Sequence, residues 1–355
     1  MSYYNIKTHI NVPSRTKKNF LLRVMIPFCK QKLKDHTPYY FSRNIEFGPV
    51  VNLYIQCSEQ EITYIYSELY KRFETFLDTL SESEIKANNV YVERYSDLKR
   101  MNGIKSNTTQ DNLTMVFYKM DKIERHGEYL GEESKELFTK YYFKSQNIME
   151  ESILYFSEVE EQEQLNVILG LFVACSQLLD STGVGQGYLS FKSHLLGFLS
   201  YKHKDMPKYE QFFKNDSEKN KVLYNETVDM VRSQWLLDSI RKEERYAQII
   251  YEWQQIYTGL FGEMLHLVKS QPPQNGLLFS FIKQHRNRQF RKISSFHKQA
   301  FGSDNKDFFQ SSEFQAYRMV VNFVYQTLPT LGINSRKRVQ MSYMLVHCME
   351  GLVEI

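Results

Sequence analysis

The residues that could do chemistry in this chain are defined first by what their spacing omits. No GxxxxGK[ST] run occurs, so there is no nucleotide-cradling loop of that kind. Gly183, Gly185 and Gly187 resemble a glycine-rich phosphate loop, but they follow a predicted helix. The dinucleotide fingerprint needs a strand, the glycines and then a helix, so a turn is the preferred reading. No HExxH or Cys/His cluster has metal-ligand spacing, and His194 and His203 lie too far apart to share a helix face at i, i+4. No GxSxG elbow is present. Chemistry without a metal or cofactor remains, as does pure binding. One charge cluster stands out: KQHRNRQFRKISSFHK carries Lys283, Arg286, Arg288, Arg291, Lys292 and Lys298 with no acid. Helix faces normally mix signs to gain i, i+4 pairs. A single-sign face attracts an anionic partner, RNA or an acidic peptide. The competing reading is a solvated helix face.

Composition narrows the class. The chain has 355 residues, 42% hydrophobic and 24% charged, which is ordinary for a globular protein and excludes disorder and collagen-like repeats. A chain of this size buries about 75% of its unfolded surface, so a core forms without staples. The longest apolar run, near Val167–Cys175, is far short of the ~20 residues of a membrane helix. The N-terminus lacks an apolar signal segment. Cys29, Cys57, Cys175 and Cys348 are dispersed, which is neither a disulfide framework nor a CxxC site. A reducing cytoplasm is the expected compartment. The net charge of +4 is too small to announce nucleic acid. The chain holds 25 Tyr and 25 Phe. Coding bias explains that excess; a wide aromatic cleft is the functional alternative.

These residues need elements to position them. Asn19–Ile26, Pro49–Gln56, Val90–Glu93 and Leu113–Tyr118 read as strands from β-branched and aromatic content. Glu59–Leu80 has Ile62, Ile65, Leu69, Phe73, Phe76, Leu77 and Leu80 at helical spacing. After Gly127, helices are predicted over Glu132–Ser157, Glu161–Asp180, Tyr188–Tyr201, Val222–Val268, Leu277–Ala300, Ser311–Thr327 and Ser335–Val353. Lys204–Asn220 reads as a polar loop, and Gln271–Gly276 as a breaker. Asn334 and Ser335 are good N-caps for the last helix. The expected fold class is α+β: an N-terminal mixed or antiparallel sheet with a flanking helix, then a largely helical C-terminal part. One domain is expected, sheet-rich over 1–127 and helix-rich over 128–355.

Three segments together resemble one family. Tyr39–Gln56, YYFSRNIEFGPVVNLYIQ, resembles the aromatic, Gly-Pro-containing strand that opens the thiopeptide-type bacteriocin biosynthesis domain, a homologue of the elimination domain of lantibiotic dehydratases. Phe117–Phe138 resembles the family's strand ending in Tyr, its Glu-x-x-Arg-Tyr-Gly-Gly turn and a helix ending Leu-Phe. Ser145 follows near the family's Asp-Ser. Phe314–Glu350, with Arg318-Met319, Asn322 and a Leu-Gly-Ile turn, resembles its closing His-Met-x-x-Asn-Arg-Leu region. The three span nearly the whole chain in the family's order. Departures are as informative. The eliminating members hold a glutamyl carboxylate with arginines after the Gly-Pro-His strand. Here that strand reads Val50-Val51-Asn52-Leu53-Tyr54-Ile55. Arg318 replaces the acid/base His, Phe323 replaces an Arg, and Lys122 stands where Arg125 would have a Glu partner. An always-charged Arg cannot shuttle a proton, and Asn or Tyr cannot copy a guanidinium fork.

The pyridine synthases of thiopeptide antibiotics form a second branch of this family and also lack the eliminase set. They use a Ser and a Tyr around the start of the penultimate helix and a Tyr in the last. This sequence offers Ser311, Tyr317 and Tyr343 in that order, with Ser312 and Tyr325 as alternative occupants. Apart from the resemblance, Ser311 reads as an N-cap and the tyrosines as packing residues. The resemblance implies a cofactor-independent [4+2] cycloaddition between two dehydroalanines of a thiazole-containing precursor peptide. Loss of water and leader peptide then completes a pyridine and closes a macrocycle. It implies that Tyr317 and Tyr343 stabilise the iminol, that Ser311 hydrogen-bonds the reacting amide, and that Arg125 and Arg318 orient carbonyls or the departing carboxamide. Arg286, Arg288, Arg291 and Lys292 are a surface for an acidic leader. The implied partners are the modified precursor peptide with its leader, further enzymes of the pathway and a second copy in a homodimer, without nucleic acid or membrane. A glutamate-eliminating lyase and a non-catalytic peptide-binding scaffold are the alternatives.

Overall fold

Ser2–His9 (β1) pairs on both sides, antiparallel to Val50–Cys57 (β3) and to Thr114–Met120 (β4). Tyr39–Asn44 (β2) adds to β3, giving a four-stranded antiparallel sheet in the order β2-β3-β1-β4. The computed structural model describes residues 2–10, 14–33, 37–44, 50–86, 113–120, 132–183, 186–201, 206–233, 244–270, 307–308 and 311–351. The chain divides into two compact units. The first comprises Met1–Arg125, Tyr142–Leu154 and Pro329–Gly332; the second comprises the remainder.

In the first unit the sheet register sets two different faces. Ile6 lies opposite Leu53 and Phe117, so Tyr4, Ile6, Leu53, Ile55 and Met115 share one face. Glu59–Asp78 (α3) lies against this face: the Tyr66 hydroxyl donates to the Met115 carbonyl at 2.8 Å, and its ring meets Phe117. Its start is a capping box, in which Ser58 Oγ accepts the Glu61 amide and the Glu61 carboxylate accepts the Ser58 amide. The opposite face carries Asn5, Lys7 and His9 beside Asn52 and Tyr54. Asn5 Nδ2 donates to Asn52 Oδ1 at 3.1 Å and to the Tyr118 hydroxyl at 3.0 Å. Tyr40 stacks on Tyr54 (4.6 Å) and Tyr142 (5.3 Å). β2 is an edge strand, yet its outward amides are closed: Phe41 N–H donates to Gln146 Oε1 and Arg43 N–H to Thr330 Oγ1, both at 3.2 Å. This covers an edge that would otherwise pair with another chain.

The predicted strand over Asn19–Ile26 is corrected. The chain there is helical: Ser14–Phe20 (α1), a π-helical turn over Leu21–Met25, and Ile26–Lys32 (α2). The buried residues Phe20, Leu21, Val24, Met25, Phe28 and Cys29 recur at helical spacing. An eight-residue window ending at Ile26 cuts this pattern before its second turn closes. β1 was not anticipated, because Asn5, Lys7 and His9 make a buried strand look polar. Pro49–Gln56 and Leu113–Tyr118 are strands as expected, within a residue or two. Val90–Glu93 lies outside the described residues.

The second unit is helical. Glu132–Lys144 (α4) and Gln146–Glu158 (α5), which the sequence suggested as one helix, are two and run through both units; the chain breaks at buried Ser145, whose hydroxyl donates to the Tyr142 carbonyl. Glu161–Asp180 (α6) is buried nearly all round, as its continuous apolar run requires. Tyr188–Tyr201 (α7) has the predicted bounds. Lys204–Asn220, read as a loop, is mostly helix: Met206–Arg232 (α8) runs through it with a non-helical residue at Asn220. The apolar stripe in that segment is narrow; Phe213 is its fully buried hydrophobic residue, so solvated side chains mask the period. Arg245–Ser270 (α9) buries Trp253, Tyr257 and Leu260. Ser312–Thr327 (α10) and Ser335–Gly351 (α11) follow. The Leu-Gly-Ile turn between them uses Gly332 at φ +84°, and Ile333 N–H closes back on the Leu328 carbonyl at 3.0 Å. That is a glycine-dependent helix stop. The predicted helix over Leu277–Ala300 and the breaker at Gln271–Gly276 lie outside the described residues.

Candidate functional site

Ser311 is the N-cap of α10. Its Oγ accepts the Phe314 amide at 3.2 Å and donates to the Phe308 carbonyl at 2.7 Å. Both bonds tie the helix start, one orphan amide being satisfied as a cap requires. Ser312 is the first helical residue.

Tyr317, six positions on, is fully buried. Its hydroxyl donates to the Gly187 carbonyl at 2.7 Å. Gly187 is itself pinned: its amide donates to Asp180 Oδ1 at 2.6 Å, and a Cβ there would stand 2.1 Å from the Ser176 carbonyl oxygen. Only glycine permits that approach. Burial pushes the Tyr317 hydroxyl well above the ordinary tyrosine range, so it stays a neutral donor. The STGVGQG turn therefore positions α7 against α10 through Gly187. The turn reading of these glycines holds at Gly183, which has φ +69°, and at Gly187; Gly185 lies outside the described residues.

Tyr343 occupies another neighbourhood. It is half-buried on α11, 5.6 Å from the Phe213 ring and stacked on His347. Burial, then Glu210 and Glu218, raise its hydroxyl above the usual value. Among the described residues no hydrogen bond or ring contact joins Ser311, Tyr317 and Tyr343 to one another.

The structure instead gathers a basic and aromatic group around Tyr325. Arg318 Nη2 lies 3.1 Å from His194 Nε2. Arginine has no acceptor, so the imidazole nitrogen accepts, which leaves the proton of a neutral His194 on Nδ1. The His194 ring lies 4.6 Å from the Tyr325 ring, and the Arg338 guanidinium sits 4.8 Å over it. Phe172 and Phe191 meet the same ring edge-on. Burial raises the Tyr325 hydroxyl to about 12, against the pull of Arg338, Ser342 and Arg318. Sequence reading weighed His194 only as a metal ligand and did not single out Arg338. A signal existed: Arg336, Lys337 and Arg338 crowd the first turn of α11, where the helix dipole disfavours cations.

Arg125 and the cluster of Arg286, Arg288, Arg291 and Lys292 lie outside the described residues. All four cysteines are free and buried. Among the described residues no group of three or more metal-ligating side chains converges, and no helix is long and apolar enough to cross a membrane.

The sequence matches no protein-family model and no curated relative. Solved structures do match. The pyridine synthase TbtD, from thiomuracin biosynthesis, superposes with a TM-score of 0.69 at 14% identity, covering 100% of this chain and 99% of that one. TsrL superposes at 0.59 with 13% identity, covering 99% and 95%. At such identity the likeness speaks to fold, and it is the fold of the family that the three sequence segments resemble. From end to end, then, this chain is similar in fold to a pyridine synthase from thiomuracin biosynthesis.

Proposed function

We propose that this protein is a pyridine synthase acting on a precursor peptide that carries thiazoles and dehydroalanines. The observation that supports this most is the full-length likeness in fold to TbtD, with nearly every residue of both chains covered. One dehydroalanine, through the iminol form of the adjacent amide, supplies four atoms; a distant one supplies two. Two C–C bonds form, one from the dehydroalanine methylene and one from the iminol carbon, since the nitrogen lies inside the four-atom unit. Loss of water and of the leader as a carboxamide then makes the ring aromatic, with no oxidant required. Holding two distant sites of one peptide in an attack-ready pose is an entropic task, worth up to about 7–11 kcal/mol in well-oriented systems.

Within this reading the residues take different parts. Tyr343 is half-buried and keeps a neutral hydroxyl, which can donate to the amide oxygen and accept from its nitrogen. Tyr317, bonded to Gly187, holds the α7 start in place. Ser311 fixes the start of α10 and remains the candidate for the reacting amide. Arg318 and Arg125 orient peptide carbonyls. The basic run containing Arg286, Arg288, Arg291 and Lys292 receives an acidic leader.

The test is to incubate the protein with a leader-bearing, thiazole-containing peptide that has two dehydroalanines and to follow it by mass spectrometry. A macrocycle together with free leader carboxamide supports the reading. Glutamate loss from a glutamylated peptide instead would make the chain an eliminase. An unchanged peptide that co-elutes with the protein would make it a scaffold.

A further inference from the structure

The group around Tyr325 has features that core packing does not require. Its three basic side chains come from three helices: His194 from α7, Arg318 from α10 and Arg338 from α11. All three are half-buried, so each keeps a route to solvent. Of the three cations that open α11, Arg336 covers the Phe212 ring and Lys337 pairs with Glu161 at 2.8 Å. Arg338 has no carboxylate partner among the described residues and lies on the Tyr325 face. A guanidinium in the first turn opposes the helix dipole. An anion beside the guanidinium offsets that cost. The Tyr325 hydroxyl is completely buried and lacks a partner at hydrogen-bond geometry. Ser342 stands beside it, with its own hydroxyl donated to the Arg338 carbonyl at 3.0 Å. A buried hydroxyl without a partner is uncommon and costs stability.

We propose that Arg338, with Arg318 and His194 flanking and the Tyr325 hydroxyl at its base, is a binding site for a carboxylate of the peptide substrate. The Arg338 fork offers two parallel N–H donors, the geometry that a carboxylate matches. Arg318 adds a second positive charge, and the aromatic walls of Phe172, Phe191 and Tyr325 lower the local dielectric and strengthen both. The carboxylate belongs either to an acidic side chain or to the peptide C-terminus. The site rests on the peptide-substrate reading for that origin only.

Three short probes separate the possibilities by calorimetric titration of the intact chain: acetyl-Ala-Glu-Ala-amide, acetyl-Ala-Gln-Ala-amide and acetyl-Ala-Gln-Ala with a free C-terminus. Binding by either acid probe but not by the neutral one supports the site, and the binding probe names the source. Arg338→Gln should weaken acid binding at least about tenfold, the loss of a charge-assisted bidentate pair. Tyr325→Phe should weaken it severalfold while leaving the melting temperature unchanged or raised, since its hydroxyl has no partner to lose. Equal binding of all three probes, or undiminished acid binding by Arg338→Gln, would overturn the site. So would inorganic phosphate displacing the acid probe at equal concentration. No turnover is involved, so a chain that binds the acid probe yet makes no pyridine keeps the site and loses the synthase reading.

Discussion

Two tyrosines that a motif comparison treats alike have opposite physical situations. Tyr317 is sealed and bonded to a backbone carbonyl, whereas Tyr343 is half-buried and packs by its ring. Tyr317→Phe leaves the Gly187 carbonyl without its partner and should cost about 1–3 kcal/mol of stability. Tyr343→Phe should stay within about 0.5 kcal/mol, the range of substitutions that disturb no buried bond. Urea unfolding of both variants checks the contrast; equal losses would mean that the Tyr317 bond contributes nothing. For catalysis the order reverses. On the proposed pyridine-synthase reading, Tyr343→Phe should slow ring formation by roughly a hundredfold, the lower end for loss of a proton-transfer group. Single-turnover mass spectrometry reads this directly.

At the scale of the element, β1 carries the most information. Like β3 it pairs on both sides, and the polar row on one of its faces hides it from pattern reading. His9 on that face is 4% exposed, and burial, then Lys7, lower its pKa from 6.5 to about 4. The unfolded chain takes up this proton near pH 6.5, and the folded chain only near 4. Between those values the unfolded state binds more protons, so stability falls as pH falls. His9→Gln should flatten the stability profile between about pH 6.5 and 4. An unchanged slope in urea titrations would show that His9 is already protonated in the folded sheet. α8 teaches the complementary lesson: helical backbone can run through a polar segment when a narrow apolar stripe suffices to anchor it.

On the scale of the whole molecule, the sheet unit is assembled from distant parts of the chain. Gln146 and Thr330 close the outer edge of β2, and Tyr142 stacks on Tyr40. A chain ending at residue 128 would lack all three. It should expose that edge and self-associate, which light scattering of the fragment would register; a monodisperse, folded fragment would show that the edge needs no cover. The predicted division at residues 127 and 128 follows composition, whereas the compact units follow contacts, and Tyr142–Leu154 and Pro329–Gly332 belong with the sheet.

The α+β class, α3, α6, α7, α10, α11 and the N-capped turn before α11 were legible in the sequence by itself. Each rests on local physics: period or caps. Ser311, Tyr317, Tyr343 and Arg318 were visible as candidates only through the family resemblance, which their order along the chain carries. Only the tertiary structure decided which of them are sealed and which are reachable. It alone joined Arg318 to His194 and set Arg338 over Tyr325, because those residues are separated by many turns of chain. Spacing encodes which side chains share an element. Burial and electrostatic environment depend on which elements pack together, and no single segment carries that information.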